Sequence, residues 1–259
     1  EKPPLWCLFG IAIYEQLAHS LPGDRAVVAV HVPFRYLPEQ QRQPTIAELA
    51  SRYVSLIRER QPHGPYHLLG LCFGGIVAHE AAQQLELSGQ RVGVVTVLDA
   101  LLPTGVHIDQ VSRARHYLRG VRREPRRLSD WLRASGAKLT SRLRMRRRPE
   151  GAEVASSAQT GELSVNGREI DAAVQRFAVQ ARPLDGALLV VRASAEPTPS
   201  WQHVAPELGW RELAQRVPVL DIPATHLEIL REPHVRALAL AVSHEIDSAT
   251  HASEGAQPD

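Results

Sequence analysis

The segment LLGLCFGGIV, residues 68–77, decides the fold prediction because it joins a strand to a helix through a glycine-rich turn. Gly70, Cys72 and Gly74 form the pattern glycine, any residue, nucleophile, any residue, glycine, and Gly75 adds a further glycine. A turn of this kind is sharp and strained, so its flanking positions leave no room for a Cβ atom. An apolar strand-like run precedes the turn and a helical pattern follows it. We therefore predict a nucleophile elbow with Cys72 at its apex.

Apolar runs and helical patterns alternate along the rest of the chain, as is typical of a mostly parallel sheet covered on both faces. Thr45 and Glu48 fit a capping box at the start of one helix, and Gly89 suits the end of the helix that follows the elbow. The last helix is predicted over about 233–247, with Pro233 in its first turn. Strands are predicted at 4–10, 26–32, 65–71, 92–99, 187–193 and 217–222.

The alternation of strands and helices is interrupted once, and the interruption divides the chain into a predicted core and a predicted lid. Residues 1–102 and 169–247 are predicted to form the α/β core, and 103–168 a lid of short helices with a mobile connection. The tail 248–259, rich in small and polar residues, is predicted to be disordered. The lid contains a basic block, 113–148, with a net charge of +12, whereas the rest of the chain carries −10. This block is either a solvated helical face or a docking surface for an acidic or phosphate-bearing partner.

Composition limits the possible functions. The chain of 259 residues is 44% hydrophobic and 22% charged, which is ordinary for a globular protein that is not inserted in a membrane. The first residues do not resemble a signal peptide, so we expect a cytoplasmic protein. Two cysteines form neither a disulfide framework nor a metal-binding pattern, and Cys7 is expected to be a small buried side chain. The basic block has few aromatic residues and no nucleic-acid motif, so nucleic acid is not the expected partner.

A cysteine nucleophile needs a base, and the base needs an acid that orients it. Asp99 ends an apolar strand at the sheet edge where α/β sites form, and is the favoured acid; Glu196, in a proline-rich loop after the next strand, is the alternative. His226 follows the final strand and is the predicted base, since His67 and His79 fall within a strand and a helix. The order Cys72, Asp99, His226 is that of the α/β hydrolases, so the predicted fold is an α/β-hydrolase fold with a helical lid.

An oxyanion formed during acyl transfer needs two fixed backbone N–H donors. Phe73, immediately after the nucleophile, should supply one. The second should come from the turn after the first strand, and Ile11 is the candidate, with Gly10 allowing close approach of the backbone.

Several motifs in order resemble the thioesterase domain that ends nonribosomal peptide and polyketide synthases. The segment PTIAELASRYVSLIRERQPHGPYHLLGLCFGG (44–75) is similar to the helix, turn, strand and elbow of that family. VLDALLP (97–103) resembles its acid-bearing strand end, and LGWRELAQRVPVLDIPATHLEILREPHV (208–235) its histidine loop. Three features depart from the family pattern. Cys72 replaces the usual serine, Leu71 stands where a polar or aromatic residue is frequent, and the first turn lacks the His-Pro and paired glycines.

The resemblance implies an activity and a partner. An acidic carrier protein, expected upstream in the same polypeptide, would deliver an acyl chain as a 4′-phosphopantetheine thioester, and no cofactor would be bound permanently. The chain would then leave by cyclisation, other acyl transfer or hydrolysis. No leading dimerisation helices are seen, so a monomer is expected. The basic lid would face the carrier through arginines at its start, namely Arg113, Arg115, Arg119, Arg122 and Arg123.

Other functions remain open at this stage. Dienelactone hydrolases also carry a Gly-x-Cys-x-Gly-Gly turn, a free-standing editing thioesterase would share the same motifs, and a hydrolase scaffold without catalysis would be a binding module.

The cysteine at the elbow leads to a hypothesis about how the acyl chain is released. An acyl chain on Cys72 is a thioester, which amines attack more readily than an ester, so the elbow suits a demanding release better than simple hydrolysis.

Overall fold

The computed structural model describes residues 2–32, 45–112, 167–195 and 197–254, and these residues form an α/β-hydrolase fold. Seven strands make a parallel sheet in the order β2-β1-β3-β4-β6-β8, and β9 also pairs with β6. A separate two-stranded sheet joins β5 and β7. The strands are β1 (Leu5–Leu8), β2 (Val27–Val30), β3 (Tyr66–Leu71), β4 (Val92–Leu98), β5 (Val106–Ile108), β6 (Leu184–Ala193), β7 (Gln202–Val204), β8 (Ala214–Arg216) and β9 (Val219–Ile222).

Helices cover both faces of the sheet, and each face has its own apolar core. One core joins the sheet to α2 and α3, and the other joins it to α1 and α5. The central strands are buried on both sides, which explains why they read as continuous apolar runs rather than as alternating patterns. The helices are α1 (Glu15–Ser20), α2 (Ile46–Arg60), α3 (Phe73–Leu87), α4 (Gly167–Gln180) and α5 (His234–Glu254).

Local sequence signals set several of these boundaries. The predicted capping box is present at α2, where Thr45 Oγ1 accepts from the N–H of Glu48 at 3.2 Å and a Glu48 carboxylate oxygen accepts from the N–H of Thr45 at 2.8 Å. Gly89 adopts a φ of +75° just after α3, as the predicted terminator requires. All six predicted strands are present.

The structure corrects the predicted tail. Helix α5 continues to Glu254, so residues 248–254 are helical and the prediction of a disordered tail from residue 248 is wrong for this part. The alanines of this segment favour helix, and the Thr250 Oγ1 donates to the carbonyl of Ile246 at 2.9 Å. Residues 255–259 lie outside the described part of the chain.

The predicted boundaries of the core and lid stay predictions, because most of 103–168 lies outside the described residues. The part that is described, 103–112, contains a short 3-10 helix and β5. Residues 107–112 and 198–203 belong to a smaller compact unit, and the other described residues belong to a larger one that holds the parallel sheet. No described helix is both long and apolar enough to cross a membrane.

Candidate active site

Cys72 lies at the apex of the turn between β3 and α3. Its backbone adopts φ +54° and ψ −122°, a conformation that side chains rarely adopt. Two backbone hydrogen bonds hold it there: the Cys72 N–H donates to the Leu98 carbonyl at 2.8 Å, and the Cys72 carbonyl accepts from the Gly75 N–H at 3.0 Å. The side chain is exposed. The turn therefore presents the sulfur at the carboxyl edge of the sheet, as expected for an elbow.

The three glycines around Cys72 are required by close contacts of the backbone. A Cβ on Gly70 would overlap the carbonyl of Gly74, and a Cβ on Gly74 would lie 2.9 Å from the Cβ of Phe9. A Cβ on Gly75 would lie 3.0 Å from the Gly70 carbonyl oxygen. Strand, helix and first turn thus meet at a distance that only glycine allows.

Asp99 and His226 form a short hydrogen bond next to the elbow. His226 Nδ1 lies 2.6 Å from Asp99 Oδ2, while Asp99 Oδ1 accepts from the Ala193 N–H at 3.1 Å. Asp99 follows β4 directly and has a φ of +47°, so its carboxylate turns back over the end of β6. His226 also lies close enough to Cys72 for the sulfur to raise its pKa. The three side chains that the sequence singled out therefore lie together at the elbow.

The partners of His226 change its protonation. The hydrogen bond with Asp99, followed by the interaction with Cys72, raises the pKa of His226 to about 10, although partial burial acts in the opposite direction. The imidazole is therefore protonated at neutral pH. The imidazolium lies beside the sulfur of Cys72, which is at the N-terminus of α3.

The loop that carries His226 is closed by its own side chains. Glu228 Oε2 accepts hydrogen bonds from the N–H of Thr225 at 3.0 Å and from its hydroxyl at 2.7 Å. In return the Glu228 N–H donates to the Thr225 carbonyl at 3.0 Å. These bonds span His226 on both sides, and they fix where the loop presents its ring.

The predicted oxyanion donors lie in the two turns at this edge, with one difference from the prediction. Phe73 is the first residue of α3, where backbone N–H groups have no partner within the helix. In the first turn it is Phe9, not singled out from the sequence, that contacts the elbow: its ring packs edge-on against Phe73 with centroids 5.4 Å apart. Ile11 lies further along the turn and is 62% exposed.

The turn leaves two possible donors. Gly10, with a φ of +151°, and Ile11 stay the candidates for the second oxyanion donor that the sequence placed in this turn. Phe9 could not be found from sequence, since an aromatic residue after a strand gives no signal of contact with a helix 64 or more residues away.

Other candidate histidines are placed away from this site. His79 is buried, its Nε2 lies 3.2 Å from the Leu213 carbonyl oxygen, and its ring packs against Phe177 and Trp210. His67 is buried near the start of β3, at the opposite edge of the sheet. Burial lowers the pKa of His79 to about 4 and that of His67 to about 3, so both stay neutral at pH 7.

Some predicted residues cannot be placed. The alternative acid Glu196 and the five arginines of the lid lie outside the described residues. Cys7 is fully buried in β1, as expected. Within the described part of the chain, no group of three or more metal-ligating side chains could hold a metal ion. A cavity of about 690 Å³ lined by His67 and Arg91 lies at the amino-terminal edge of the sheet, far from Cys72.

The chain has the features of an α/β-hydrolase fold: a parallel sheet, an elbow, a carboxylate at a strand end and a histidine on a late loop. A comparison with protein families refines this class. The chain belongs to the thioesterase domain family, whose model matches residues 7–160. Solved thioesterase structures share the fold across nearly the whole chain. The thioesterase domain of NocB, solved as a covalent complex with a fluorophosphonate nocardicin G analogue, is 24% identical with a TM-score of 0.57 and 95% coverage of both chains.

Other similar proteins are a second thioesterase of known structure and two large curated synthetases. The RedJ thioesterase of the prodiginine pathway in Streptomyces coelicolor has a TM-score of 0.56 at 20% identity and covers 95% of this chain and 94% of its own. Among curated proteins, malpibaldin synthetase of Mortierella alpina is 38% identical over 105 residues, 39% of this chain and 2% of the synthetase. Indigoidine synthase of Dickeya dadantii is 40% identical over 96 residues, 36% of this chain and 6% of the synthase. The matched segments thus span only a small part of the length of these two curated relatives.

Proposed function

We propose that this chain is the chain-releasing thioesterase domain of a nonribosomal peptide or polyketide assembly line, with Cys72 as its nucleophile. The observation that carries the proposal is the placement of the hydrogen-bonded pair of His226 and Asp99 next to Cys72 at the elbow. The family match and the large synthetases among the relatives support the substrate class, an acyl chain held as a thioester on a carrier-protein phosphopantetheine.

In the first step the Cys72 thiolate attacks the thioester carbonyl, and a bond forms between Sγ and the carbonyl carbon. The oxyanion is stabilised by the Phe73 N–H and by a second N–H from Ile11 or Gly10. When the tetrahedral intermediate collapses, the carbon–sulfur bond to phosphopantetheine breaks. The departing thiolate takes the proton of the His226 imidazolium and leaves as a thiol.

In the second step the neutral His226 acts as general base. Its Nε2 removes a proton from the releasing nucleophile, while Asp99 holds Nδ1 protonated through the 2.6 Å hydrogen bond. The nucleophile attacks the acyl carbonyl, the bond to Sγ breaks, and the thiolate–imidazolium pair is restored. Overall, a thioester and a nucleophile give an acylated product and a free phosphopantetheine thiol.

Cysteine at the elbow matters for the kind of release. A thioester on Cys72 keeps most of the activation of the carrier-bound thioester, whereas an ester on serine would lose part of it. Amines attack thioesters readily, so we infer release by cyclisation or by transfer to another acceptor rather than by simple hydrolysis. A reducing, cytoplasmic compartment is the setting that keeps Cys72 available as a thiol.

Intact-protein mass spectrometry tests the proposal directly. Carrier protein loaded with an acyl-phosphopantetheine should transfer its acyl group to the wild-type chain, giving a mass increase that is absent in Cys72→Ala and present in Cys7→Ala, the matched change at the buried cysteine. An adduct at another residue, or none from any carrier-bound thioester, would contradict the proposal. Absence of any adduct would favour a binding module, and rapid turnover of free lactones alone would favour a dienelactone-hydrolase activity.

A serine variant tests the inference about release. Cys72→Ser should acylate and then hydrolyse more of its acyl chain than the wild type, because an ester is a poorer acceptor for amines. The measurement is the ratio of cyclised to hydrolysed product from one synthetic full-length acyl thioester. An unchanged ratio at a similar rate would show that the cysteine has no effect on release.

The partner is proposed to be an acidic carrier domain of the same polypeptide, acting on a monomeric thioesterase domain and docking on the basic block. Reversing charges at Arg115, Arg119 and Arg122 should lower turnover of a carrier-bound substrate about tenfold at low salt and leave turnover of a free pantetheine thioester unchanged. Equal turnover of the carrier-bound substrate, with no salt dependence in the wild type, would contradict this docking surface.

A further inference from the structure

Tyr14 lies directly beneath the two turns that carry the candidate oxyanion donors. Its side chain is buried, at 1% exposed, and its hydroxyl makes two hydrogen bonds. The hydroxyl donates to the Leu8 carbonyl at 2.7 Å and accepts from the Leu71 N–H at 3.1 Å. Burial raises the pKa of the phenol well above its ordinary value, so the hydroxyl keeps the proton that it donates.

These two hydrogen bonds take the place of a backbone hydrogen bond between β1 and β3 at the end of their pairing. The pairing of β1 with β3 ends at Leu8 and Gly70, because Phe9 adopts a φ of +66° and leaves the sheet. Since the Cys72 N–H points to β4, the preceding N–H of Leu71 points to the side of β1, where no strand remains. The Tyr14 hydroxyl occupies the place of the absent carbonyl and joins the ends of the two strands.

Tyr14 also holds the first turn through other atoms. Its N–H donates to the Ile11 carbonyl at 3.2 Å. Its ring lies under Gly10, where a Cβ would be 3.6 Å from the ring atom Cε2. One residue therefore contacts both the turn that holds Gly10 and Ile11 and the strand residue that precedes Cys72.

We propose that Tyr14 is a positioning residue for acyl transfer, which fixes the spacing between the first turn and the elbow and so the distance between the two oxyanion donors. The proposal rests on the function proposed above for the same site. Donors stabilise an oxyanion only when they lie about 3 Å from the oxygen that develops charge, so a small separation of the two turns weakens the stabilisation. Tyr14 makes no contact with the reacting atoms in this mechanism.

The test compares two reactions of Cys72 in the whole chain. Acylation by p-nitrophenyl acetate or by an acyl-pantetheine thioester passes through an oxyanion, whereas alkylation by iodoacetamide is a displacement at carbon that needs none. In Tyr14→Phe we expect the acylation rate constant to fall at least about tenfold, with KM for the thioester unchanged and alkylation within twofold of wild type. A merely structural role would leave the ratio of the two rates unchanged, and this result would overturn the proposal.

Tyr66→Phe is the matched control. Tyr66 is equally buried, lies at the other end of β3, and donates its hydroxyl to the Gln61 carbonyl at 2.7 Å. We expect this variant to keep both rates. Should Tyr14→Phe fail to fold, 4-aminophenylalanine at position 14 retains a donor to Leu8 but is a poor acceptor from Leu71. It should lower acylation at least about threefold relative to alkylation, and an unchanged ratio would again overturn the proposal.

Failure of the proposed function gives a different pattern. If wild-type Cys72 reacts with p-nitrophenyl acetate but never with a carrier-bound thioester, the assembly-line function is wrong, and the ratio measured with the ester still tests Tyr14. If wild-type Cys72 is alkylated by iodoacetamide but acylated by no carbonyl compound, both proposals are wrong.

Discussion

Replacing Asp99 with asparagine should leave His226 in place but reverse its hydrogen bonding. The Ala193 N–H, 3.1 Å from Asp99 Oδ1, requires an acceptor, so the asparagine carbonyl oxygen is expected to face Ala193 and its NH₂ group to face His226. The opposite orientation would bring two donors together at Ala193. An NH₂ group 2.6 Å from Nδ1 favours an imidazole that carries its proton on Nε2, the nitrogen that must accept a proton during release.

The size of the effect follows from the cause of the raised pKa. Asp99 is the largest contribution to the His226 pKa of about 10, so its loss should lower that pKa below about 8.5, while the contribution of Cys72 remains. Because the pKa is raised in the folded protein, the ion pair stabilises the fold fully below pH 6.5, and this contribution is lost as the pH rises through 10. Turnover of a carrier-bound thioester should fall about 10³-fold, mainly through the wrong tautomer.

Two measurements test this reasoning. The pKa of His226 is read from an NMR titration of the imidazole resonances, assigned by comparison with His226→Gln, and turnover is followed by release of the phosphopantetheine thiol. Asp221→Asn is the control, because Asp221 is a carboxylate that pairs with Arg192 at 2.5 Å and lies outside the site. A His226 pKa that stays above about 8.5 in Asp99→Asn, or turnover within threefold of wild type, would refute the reasoning.

Three further predictions concern the loop, the elbow and the core. Glu228→Ala removes both side-chain hydrogen bonds to Thr225 and should lower kcat about three- to tenfold with KM unchanged. Glu232→Ala, which removes a surface ion pair, should leave kcat unchanged. Equal kcat values in the two variants would contradict a role for the Glu228–Thr225 bonds in positioning His226. Gly70→Ala should lower the free energy of unfolding by at least about 3 kcal/mol in chemical denaturation. Gly89→Ala should lower it by about 1 kcal/mol, because Gly89 has a positive φ but no atom near the position of its Cβ. Similar values for the two variants would contradict the steric argument. His67 is neutral when folded but protonates below pH 6.5 when unfolded, so between pH 7 and pH 5 it should lower the free energy of unfolding by about 2 kcal/mol. His67→Leu should remove this part of the pH dependence of the free energy of unfolding, whereas His19→Leu, at an exposed position, should retain it. Equal pH dependence in both variants would contradict this role of His67.

The elbow could be predicted from sequence because its constraints are local. Gly70, Gly74 and Gly75 are required by contacts within a few residues of Cys72, together with one neighbouring turn, and the flanking patterns already separate strand from helix. Asp99 could be found because a carboxylate directly after a buried strand has to lie at the carboxyl edge of the sheet. The strands β5, β7 and β8 were missed because VHI, QHV and AQR are three-residue segments, too short to show an alternating or continuous apolar pattern.

The contacts between distant parts of the chain could not be predicted. Tyr14 and Leu71 are separated by 57 positions, and their hydrogen bond depends on the place where β1 leaves the sheet. Phe9 contacts the elbow because its own φ is positive, a backbone state that phenylalanine does not signal. The end of α5 was placed too early because threonine, serine and histidine are weak helix formers, whereas tertiary packing of Ile246 and the residues before it supports the last turns.

In the proposed mechanism, the raised pKa of His226 has one cause that persists and one that is removed, and this difference orders the two steps. The bond to Asp99 persists throughout, but the contribution of Cys72 ends when the sulfur becomes part of a thioester and no longer carries charge or a proton. The pKa of His226 is therefore lower in the acyl-enzyme than in the free enzyme. In that mechanism the imidazole donates a proton while the phosphopantetheine group leaves, and it is a neutral base when the releasing nucleophile arrives. A serine hydroxyl at position 72 would carry no charge beside the imidazole, so we infer that this change in the basicity of His226 is a property that the cysteine gives to the site.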